Sequence, residues 1–389
     1  MRERFRWIVG IENAFIPDMD VDELTWTRHR TRVHSDIALA REAGADAIRY
    51  GVTWPEVETA PGSYDWRTVD EALRACEAAS IEPIWDLVHF GVPAHIEGGF
   101  LDPCFADAFA AYAGAFAARY RGIVTKITPL NEPYISTYFR AGWGIWPPHL
   151  KGRDGFATML APVVTGLRGA IRAIKTVAPE TEIWLNDGAD TFHPLRPELA
   201  AEGAFLTNQR YAAFDLLVGD AAARGATGGW LVEAGFPEAL VDDEHVPVDV
   251  IGLDYYPETE HDFELAGDGT PILSIARTPL GLAATCRAYH ERYGLPLFIA
   301  ESSAPGDDAN RRRWLDWNVA EMRSARAAGV DVVGYTWWPL FDHVDWNTLL
   351  VRRDGYVADV GLFHLRPTRD DRARTDAVDA FRAAVEAGI

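Results

Sequence analysis

The chain has few cysteines and few basic residues, and both shortages exclude classes of function. Its three cysteines, Cys76, Cys104 and Cys286, lie far apart without a C-x-x-C pair. So sparse and odd a number does not build a disulfide framework and is typical of a reducing compartment. Lysine and arginine total 37 against 58 acidic residues, which gives a formal charge of −21. Because such a surface repels nucleic acid and anionic lipid, we expect neither as a partner.

A long hydrophobic run and a targeting signal are also lacking. The first apolar stretch, within MRERFRWIVGIENAF, is short and is interrupted by Glu12. It fits neither a secretory signal nor a membrane span. We therefore expect a soluble, cytoplasmic protein, while the composition leaves its oligomeric state open.

Motifs for a metal or a nucleotide are missing as well. The acidic stretch DMDVDE has Glu23 where a calcium loop needs glycine, and His29 where it needs glutamate. There is no H-E-x-x-H, and the first apolar run continues as IENAFIP instead of a glycine-rich dinucleotide loop. We expect no metal and no cofactor.

What the chain does contain is a recurring unit: an apolar run, a polar or aromatic loop, and an alanine-rich amphipathic segment. The eight runs are WIVGIENAF, ADAIRYGVTW, IEPIWDLVHF, VTKITPLNEP, TEIWLNDG, VDVIGLDYY, PLFIAESS and VVGYTWWPLF. Near-continuous apolar runs are typical of parallel strands covered by helices on both sides. Eight such units in 389 residues predict a single (β/α)8 barrel over residues 1–389. A doubly wound fold is the alternative, and the missing glycine loop disfavours it.

Active sites of such barrels form at the C-terminal ends of the strands. Two of these ends carry glutamates, Glu132 in TPLNEP and Glu301 in FIAESS, after the fourth and seventh runs. Strands four and seven lie on opposite sides of the barrel mouth, so the carboxyl groups can face each other across a small substrate. Paired carboxyl groups suit glycosidic bond cleavage. A separation of about 5–5.5 Å gives retention and a wider gap gives inversion, which the sequence leaves open.

The two carboxyl groups must differ in protonation at one pH. Arg49, from the second run, can keep Glu301 ionised. Burial and the charge of Glu301 would raise the pKa of Glu132. Asn131 can offer its amide to a sugar hydroxyl, and Pro133 fixes the turn that follows the acid.

Seven segments from the second to the eighth run resemble, in order, glycoside hydrolase family 1, the β-glucosidase-like retaining enzymes. TPLNEP is similar to the family's T-x-NEP motif, which implies Glu132 as acid/base and Asn131 at the sugar 2-hydroxyl. FIAESS resembles the strand that carries the nucleophile and implies that role for Glu301. DAIRYGVTW resembles YRFSISW, and IGLDYYPE resembles GxNYYT. The resemblance thus implies that Arg49 and Tyr256 hold Glu301.

The same resemblance implies a set of substrate contacts. LVHFGVP is similar to YHWDLP, WPLFDHVDW to WSLLDNFEW, and STYFRAGWGIWPP to the segment lining the leaving-group side. The implied sugar contacts are His89, Trp338 as a platform, Asp345 and Trp346. Trp143 and Trp146 are the implied contacts to the leaving group. Trp337 is expected in the core, because neighbours on a strand point in opposite directions.

The chain also departs from the family pattern. No glutamine matches the first-strand Y-Q-x-E-G segment, and Glu12 is our candidate substitute. Asp345 stands where the family has Glu, Phe90 where it has Trp, and Asp254 where it has the Asn of NYY. The chain is also short for the family, which implies trimmed loops. The sequence therefore predicts the reaction and leaves the sugar open.

We accordingly predict a retaining β-glycosidase that acts on a small glycoside. Two alternatives remain at this point. The same glutamates could pass the glycosyl group to an alcohol, as in a transglycosidase. The barrel could also be a non-catalytic carbohydrate-binding protein.

Overall fold

Eight parallel strands close into a barrel in the computed structural model, which describes residues 4–218, 221–241, 245–267 and 271–389. Each strand pairs with its neighbours in sequence, and the last pairs with the first. The predicted (β/α)8 barrel is confirmed. In chain order the strands are β1 Arg6–Gly10, β2 Ala47–Gly51, β3 Glu82–Asp86, β4 Lys126–Thr128, β5 Glu182–Gly188, β6 Val250–Asp254, β7 Leu297–Glu301 and β8 Val332–Trp337.

Helices surround the barrel. The alanine-rich segments form helices close to where their periodicity predicts them, and the longest helix, Gly152–Val177, follows β4. The α-helices are Glu23–Trp26, Val33–Glu42, Trp54–Val57, Arg67–Ala79, Phe105–Arg119, Pro133–Thr137, Gly152–Val177, Ala200–Gln209, Ala212–Leu217, Ala221–Glu233, Glu238–Val241, Leu282–Tyr293, Asp308–Ala327 and Asp376–Ala387. Within the described ranges, no helix combines the length and apolar content needed to cross a bilayer.

The strands are apolar on both faces because both faces are buried. One set of side chains fills the barrel interior, and the other packs against the helices in the largest hydrophobic cluster. The smaller cluster consists of Ile8, Ala47, Ile84, Trp184, Val250, Phe298, Ala300 and Val333. Trp337 is fully buried in the larger cluster, as expected for this position.

Short additional strands, most of them paired antiparallel, lie in the loops between strands and helices. The loops after β5 and β6 contribute a three-stranded sheet of Thr191–Pro194, Glu260–Leu265 and Pro271–Ile275. The two-stranded pairs are Phe15–Ile16 with Val21–Asp22, Glu58–Ala60 with Ser63–Tyr64, His343–Val344 with Val357–Ala358, and Phe363–His364 with Ala373–Arg374. The polar residues at the strand ends are therefore presented by a rigid frame.

Candidate active site

Arg49 is the centre of the polar network at the C-terminal end of the barrel. Its guanidinium is fully buried, and Nη1 donates to Glu301 Oε1. Nη2 donates to Asp86 Oδ2 at 3.0 Å, to Asn186 Oδ1 at 3.2 Å and to Asn131 Oδ1. Burial alone would lower the pKa of Arg49, but the charges of Asp86 and Glu301 raise it overall. One permanent cation thus links the ends of β2, β3, β5 and β7 and the loop after β4.

Glu301 is held at both of its oxygens. Arg49 donates to Oε1, and the Tyr256 hydroxyl donates to Oε2 at 2.8 Å. Burial, followed by the charge of Glu301, raises the pKa of Tyr256 well above its usual value, so the phenol keeps its proton. The two anchors leave little freedom for the carboxylate at the end of β7, where it lies 5% exposed.

Glu132 has a backbone conformation that few residues with side chains adopt. Its φ is +46°, in the left-handed region, and Pro133 begins the next helix. The amides of Tyr134 and Ile135 at this helix start donate to Asp187, at 2.7 and 3.3 Å. Asp187 therefore anchors the turn that presents Glu132, and strain of this kind is often found at functional sites.

The surroundings of Glu132 favour its protonated form. Its pKa is raised well above the usual value, first by burial and then by the charges of Asp254 and Glu301. Asn131 Nδ2 lies 3.3 Å from Glu132 Oε2. A carboxylic acid that keeps its proton near neutral pH can serve as a general acid.

On the opposite side of Arg49, three residues form an aromatic and acidic wall. His89 stacks parallel to Trp338 with ring centroids 5.7 Å apart, and the Arg49 guanidinium carbon lies 5.0 Å from the Trp338 ring. Glu12 accepts hydrogen bonds from Ala14 N at 2.9 Å and from Trp338 Nε1 at 3.2 Å. Glu12 thus fixes the indole in place.

His89 is tied into the same network. Its Nδ1 lies 2.7 Å from Asp86 Oδ2, and its Nε2 lies 3.6 Å from Glu12 Oε1. Burial would lower the pKa of His89, but the two carboxylates raise it overall. Asp86 therefore joins the imidazole to Arg49.

Farther out, Asp345 and Trp346 follow β8. Asp345 is 3% exposed and accepts from Tyr356 N at 2.8 Å through Oδ1. Trp346 is half-buried, and its ring lies 6.2 Å from that of Phe90. Glu23 is buried nearby, where burial and then the charge of Glu12 raise its pKa well above the usual value. This part of the site is rich in carboxyl groups.

The two tryptophans expected beside the leaving group differ in exposure. Trp143 is 44% exposed, at the end of the segment that leaves Glu132. Trp146 is fully buried between Phe90 and Phe139, and its Nε1 donates to Leu349 O at 2.8 Å. Trp143 therefore keeps part of its ring open to solvent, whereas Trp146 packs in the wall behind the site.

Reasoning from the sequence missed one residue of this network and left two without a role. It passed over Asp86, which ends β3 three residues before His89. Asn186 and Asp254 count among the polar residues at strand ends that favour a site, but the sequence assigned neither of them a function. The signal that could have found Asp86 is the same one, a polar residue at the C-terminal end of a barrel strand.

One other group of side chains has the spacing of a metal site. Among the described residues, Asp342, Asp359 and His364 have ligand atoms within 4.8 Å of one another. However, Asp342 already accepts from three backbone amides and lies 2.9 Å from His364 Nδ1, while Arg366 pairs with Asp359. These contacts indicate that the three side chains anchor the loop after β8.

Comparisons with known proteins place the chain in a family. The model of glycosyl hydrolase family 1 matches residues 19–225, more than half of the chain. The chain belongs to glycosyl hydrolase family 1. The resemblance seen in the sequence and the expected class, a retaining β-glycosidase, are thereby confirmed. Neither alternative receives support from these comparisons.

The individual relatives are distant. An aryl-phospho-β-D-glucosidase from Bacillus subtilis is 25% identical, covering 84% of this chain and 79% of that protein. A β-glucosidase from Agrobacterium is 24% identical, over 87% and 80% of the two chains. The solved structure of a β-glucosidase from Thermotoga maritima in complex with noeuromycin has the same fold. It superposes with a TM-score of 0.82 at 18% identity and covers 99% of both chains.

Proposed function

We propose that this family 1 enzyme hydrolyses β-glycosides with Glu301 as the nucleophile and Glu132 as the acid/base. The observation that supports the assignment is the contrast between the two groups. Both oxygens of Glu301 accept hydrogen bonds, from Arg49 and Tyr256, whereas the surroundings of Glu132 favour its protonated form. One carboxyl group is thus arranged to attack and the other to donate a proton.

In the first step, a Glu301 oxygen forms a bond to the anomeric carbon. The bond from that carbon to the leaving oxygen breaks, and the leaving oxygen takes the proton of Glu132. In the second step, Glu132, now a carboxylate, removes a proton from water while the water oxygen attacks the anomeric carbon. The ester to Glu301 breaks, and the sugar leaves with its original β configuration.

We assign positioning roles to the residues around this pair. Arg49 and Tyr256 fix the two oxygens of Glu301. Asn131 accepts from Arg49 through Oδ1, which turns its Nδ2 towards Glu132 and towards the place where the 2-hydroxyl of a bound sugar would lie. A hydrogen bond to that hydroxyl can strengthen in the transition state.

The sugar would lie on Trp338, with further contacts to His89, Glu12, Asp345 and Trp346. A flat indole suits the apolar face of a sugar ring, and carboxylates accept from its hydroxyls. Trp143 is the candidate contact to the leaving group, and Trp146 supports the wall.

We further propose that the sugar carries no phosphate. The similar proteins include both β-glucosidases and phospho-β-glucosidases. Here the outer part of the site contains Asp345, Glu12 and Glu23. Burial already raises the pKa values of Glu12 and Glu23, so this part of the site disfavours negative charge. A sugar phosphate would add a further anion there, where repulsion is only weakly screened.

We propose one catalytic domain over residues 1–389 that works in the cytoplasm on a small glycoside. All three cysteines are free thiols, which supports a reducing compartment.

The test uses a panel of p-nitrophenyl β-glycosides and a 2-deoxy-2-fluoro glycoside with a dinitrophenyl leaving group. We expect hydrolysis that Glu301→Ala abolishes, a product with retained configuration, and a trapped sugar on Glu301 found by peptide mass spectrometry. The matched control is Glu291→Ala, an exposed glutamate on the helix Leu282–Tyr293, which should keep wild-type rates. Trapping on another residue, or turnover by Glu301→Ala, would refute the assignment.

A further inference from the structure

Asp254 is an ionisable group that the mechanism above does not use. It is the last residue of β6 and lies 1% exposed, where the family pattern has an asparagine. Its Oδ2 accepts from Asn186 Nδ2 at 2.6 Å. Its Oδ1 is buried and receives no N–H or hydroxyl donor from the described part of the chain. An acceptor left unpaired in this way is costly and calls for a source of a proton.

The neighbour that can supply this proton is Glu132. Asn186 Nδ2 donates both to Asp254 Oδ2 and, at 2.8 Å, to Asn131 Oδ1, which brings Asp254 beside the residue that precedes Glu132. After burial, the charge of Asp254 is the largest influence on the pKa of Glu132. Two carboxylates have only acceptors, so a hydrogen bond between them requires one proton. While Glu301 is also ionised, two further negative charges at short range repel strongly, and paired acids elsewhere hold one proton between them for this reason.

The charges around the pair favour the same state. Arg49 is the central cation of this network, and it already contacts two carboxylates, Glu301 and Asp86. If Asp254 and Glu132 were both ionised, neither would have a counterion in direct contact within the described part of the chain, although the charge of Arg49 lowers the pKa of Asp254. Burial has the largest effect on both acids and raises the pKa of each. The charge of Glu301 raises both pKa values further.

We propose that Asp254 and Glu132 form an acid pair that shares one proton, with Asp254 as the positioning residue that keeps Glu132 in its acid form. This inference rests on the acid/base role proposed for Glu132. An asparagine at this position could donate an N–H to the Glu132 carboxylate but could not share a proton, so it would favour the ionised form.

The pair also fits the charge balance of the reaction. Before attack, Glu301 carries one negative charge and the pair carries one. When Glu132 gives its proton to the leaving oxygen, the pair carries two negative charges, while the ester makes Glu301 neutral. Water then returns a proton to the pair as Glu301 is released. The total charge near Arg49 is therefore constant, and the affinity of the pair for its proton follows the charge of Glu301.

The first test is the pH profile of kcat/KM for Asp254→Asn on a p-nitrophenyl glycoside that the wild type cleaves. The alkaline limb of kcat/KM reports loss of the acid in the free enzyme. We expect this limb to move by about one pH unit or more towards acid. The matched control is Asp190→Asn, because Asp190 accepts from His261 at 2.9 Å and makes no hydrogen bond to Glu132. Its limb should stay at the wild-type position, and an unchanged limb in Asp254→Asn would overturn the inference.

A second measurement does not depend on turnover. Infrared spectra near pH 8 should show a protonated-carboxyl band in the wild type that is lost in both Asp254→Asn and Glu132→Gln. Retention of the full set of protonated-carboxyl bands in either variant would show that no proton is shared. If the wild type cleaves no glycoside, the proposed function fails, and the infrared result still decides whether the pair exists.

Discussion

Replacing Arg49 by methionine should damage both stability and catalysis, by amounts that can be worked from its contacts. The side chain is fully buried and pairs with Glu301 and Asp86. Removing one member of a buried ion pair leaves an uncompensated charge and typically costs about 3–5 kcal/mol. Methionine keeps much of the volume, so the loss is electrostatic and not a cavity.

The stability loss converts into a modest change in melting temperature because the chain is long. The entropy of unfolding is about 2 cal/mol/K per residue, which gives about 0.8 kcal/mol/K for a chain of 389 residues. A loss of about 3–5 kcal/mol therefore lowers Tm by about 4–6 °C. Calorimetry or thermal circular dichroism can measure such a change.

The same substitution should lower kcat/KM by a large factor, even though it changes Tm by only a few degrees. A hydrogen bond from a charged donor to a carboxylate is worth about 1.5–3 kcal/mol. If the enzyme uses that interaction to hold Glu301 in line, its loss lowers kcat/KM by about 10- to 150-fold. Arg49→Lys should lose less, because it keeps the charge while its single ammonium cannot reproduce the planar fork that contacts several acceptors.

Two controls isolate the cause. The double variant Arg49→Met/Asp86→Asn removes one of the two negative charges left uncompensated, so it should recover part of the Tm without recovering the rate. Arg119→Met breaks an ion pair to Asp70 at 2.7 Å on the surface and should leave Tm unchanged. A Tm for Arg49→Met within 1 °C of wild type, or equal rates for the Lys and Met variants, would refute this account of the network.

Three further outcomes follow from the site. Glu132→Ala should slow glycosides of poor leaving groups by orders of magnitude and dinitrophenyl glycosides least, with azide restoring the rate; equal losses for both leaving groups would contradict its role as the acid. Glu12→Gln has one acceptor oxygen in place of two, so Ala14 N or Trp338 Nε1 loses its partner; KM should rise roughly tenfold with a smaller change in kcat, and an unchanged KM would remove Glu12 from the sugar site. A 6-phosphoglucoside should be cleaved at least about 100-fold more slowly than the glucoside because of the charge on Asp345 and its neighbours; the reverse preference would disprove an unphosphorylated sugar.

Much of the fold could be predicted because it depends on local patterns. The periodicity over residues 105–120 and 376–388 matches the helices Phe105–Arg119 and Asp376–Ala387 within one residue. The predicted ends of elements were less accurate where contacts with other parts of the chain set those ends. The fourth apolar run spans residues 124–133, but only Lys126–Thr128 is strand, because Pro129 lacks the N–H that would continue the ladder.

The site was predictable where a residue follows its own strand, and not where contacts between strands matter. The expected influence of burial and of Glu301 on Glu132 agrees with the direction of its pKa. The influence of Asp254, which ranks after burial and ahead of Glu301, could not be read from the sequence. Asp254 lies more than a hundred residues from Glu132, and their contact depends on how β4, β5 and β6 align. Similarly, the sequence predicted that Trp146 contacts the leaving group, but in the structure it is fully buried between two phenylalanines.

The sequence by itself determined the barrel and the family and marked the two glutamates as candidates, because apolar periodicity and short motifs are properties of neighbouring residues. Only the tertiary structure decided the burial, the hydrogen-bond partners and the neighbouring charges of those glutamates. The four acceptors of Arg49 come from different strands or loops, and the charge of Asp254 acts on Glu132 only when the barrel closes. Electrostatic energies depend on distance and burial, and both are set by chain segments far apart in sequence.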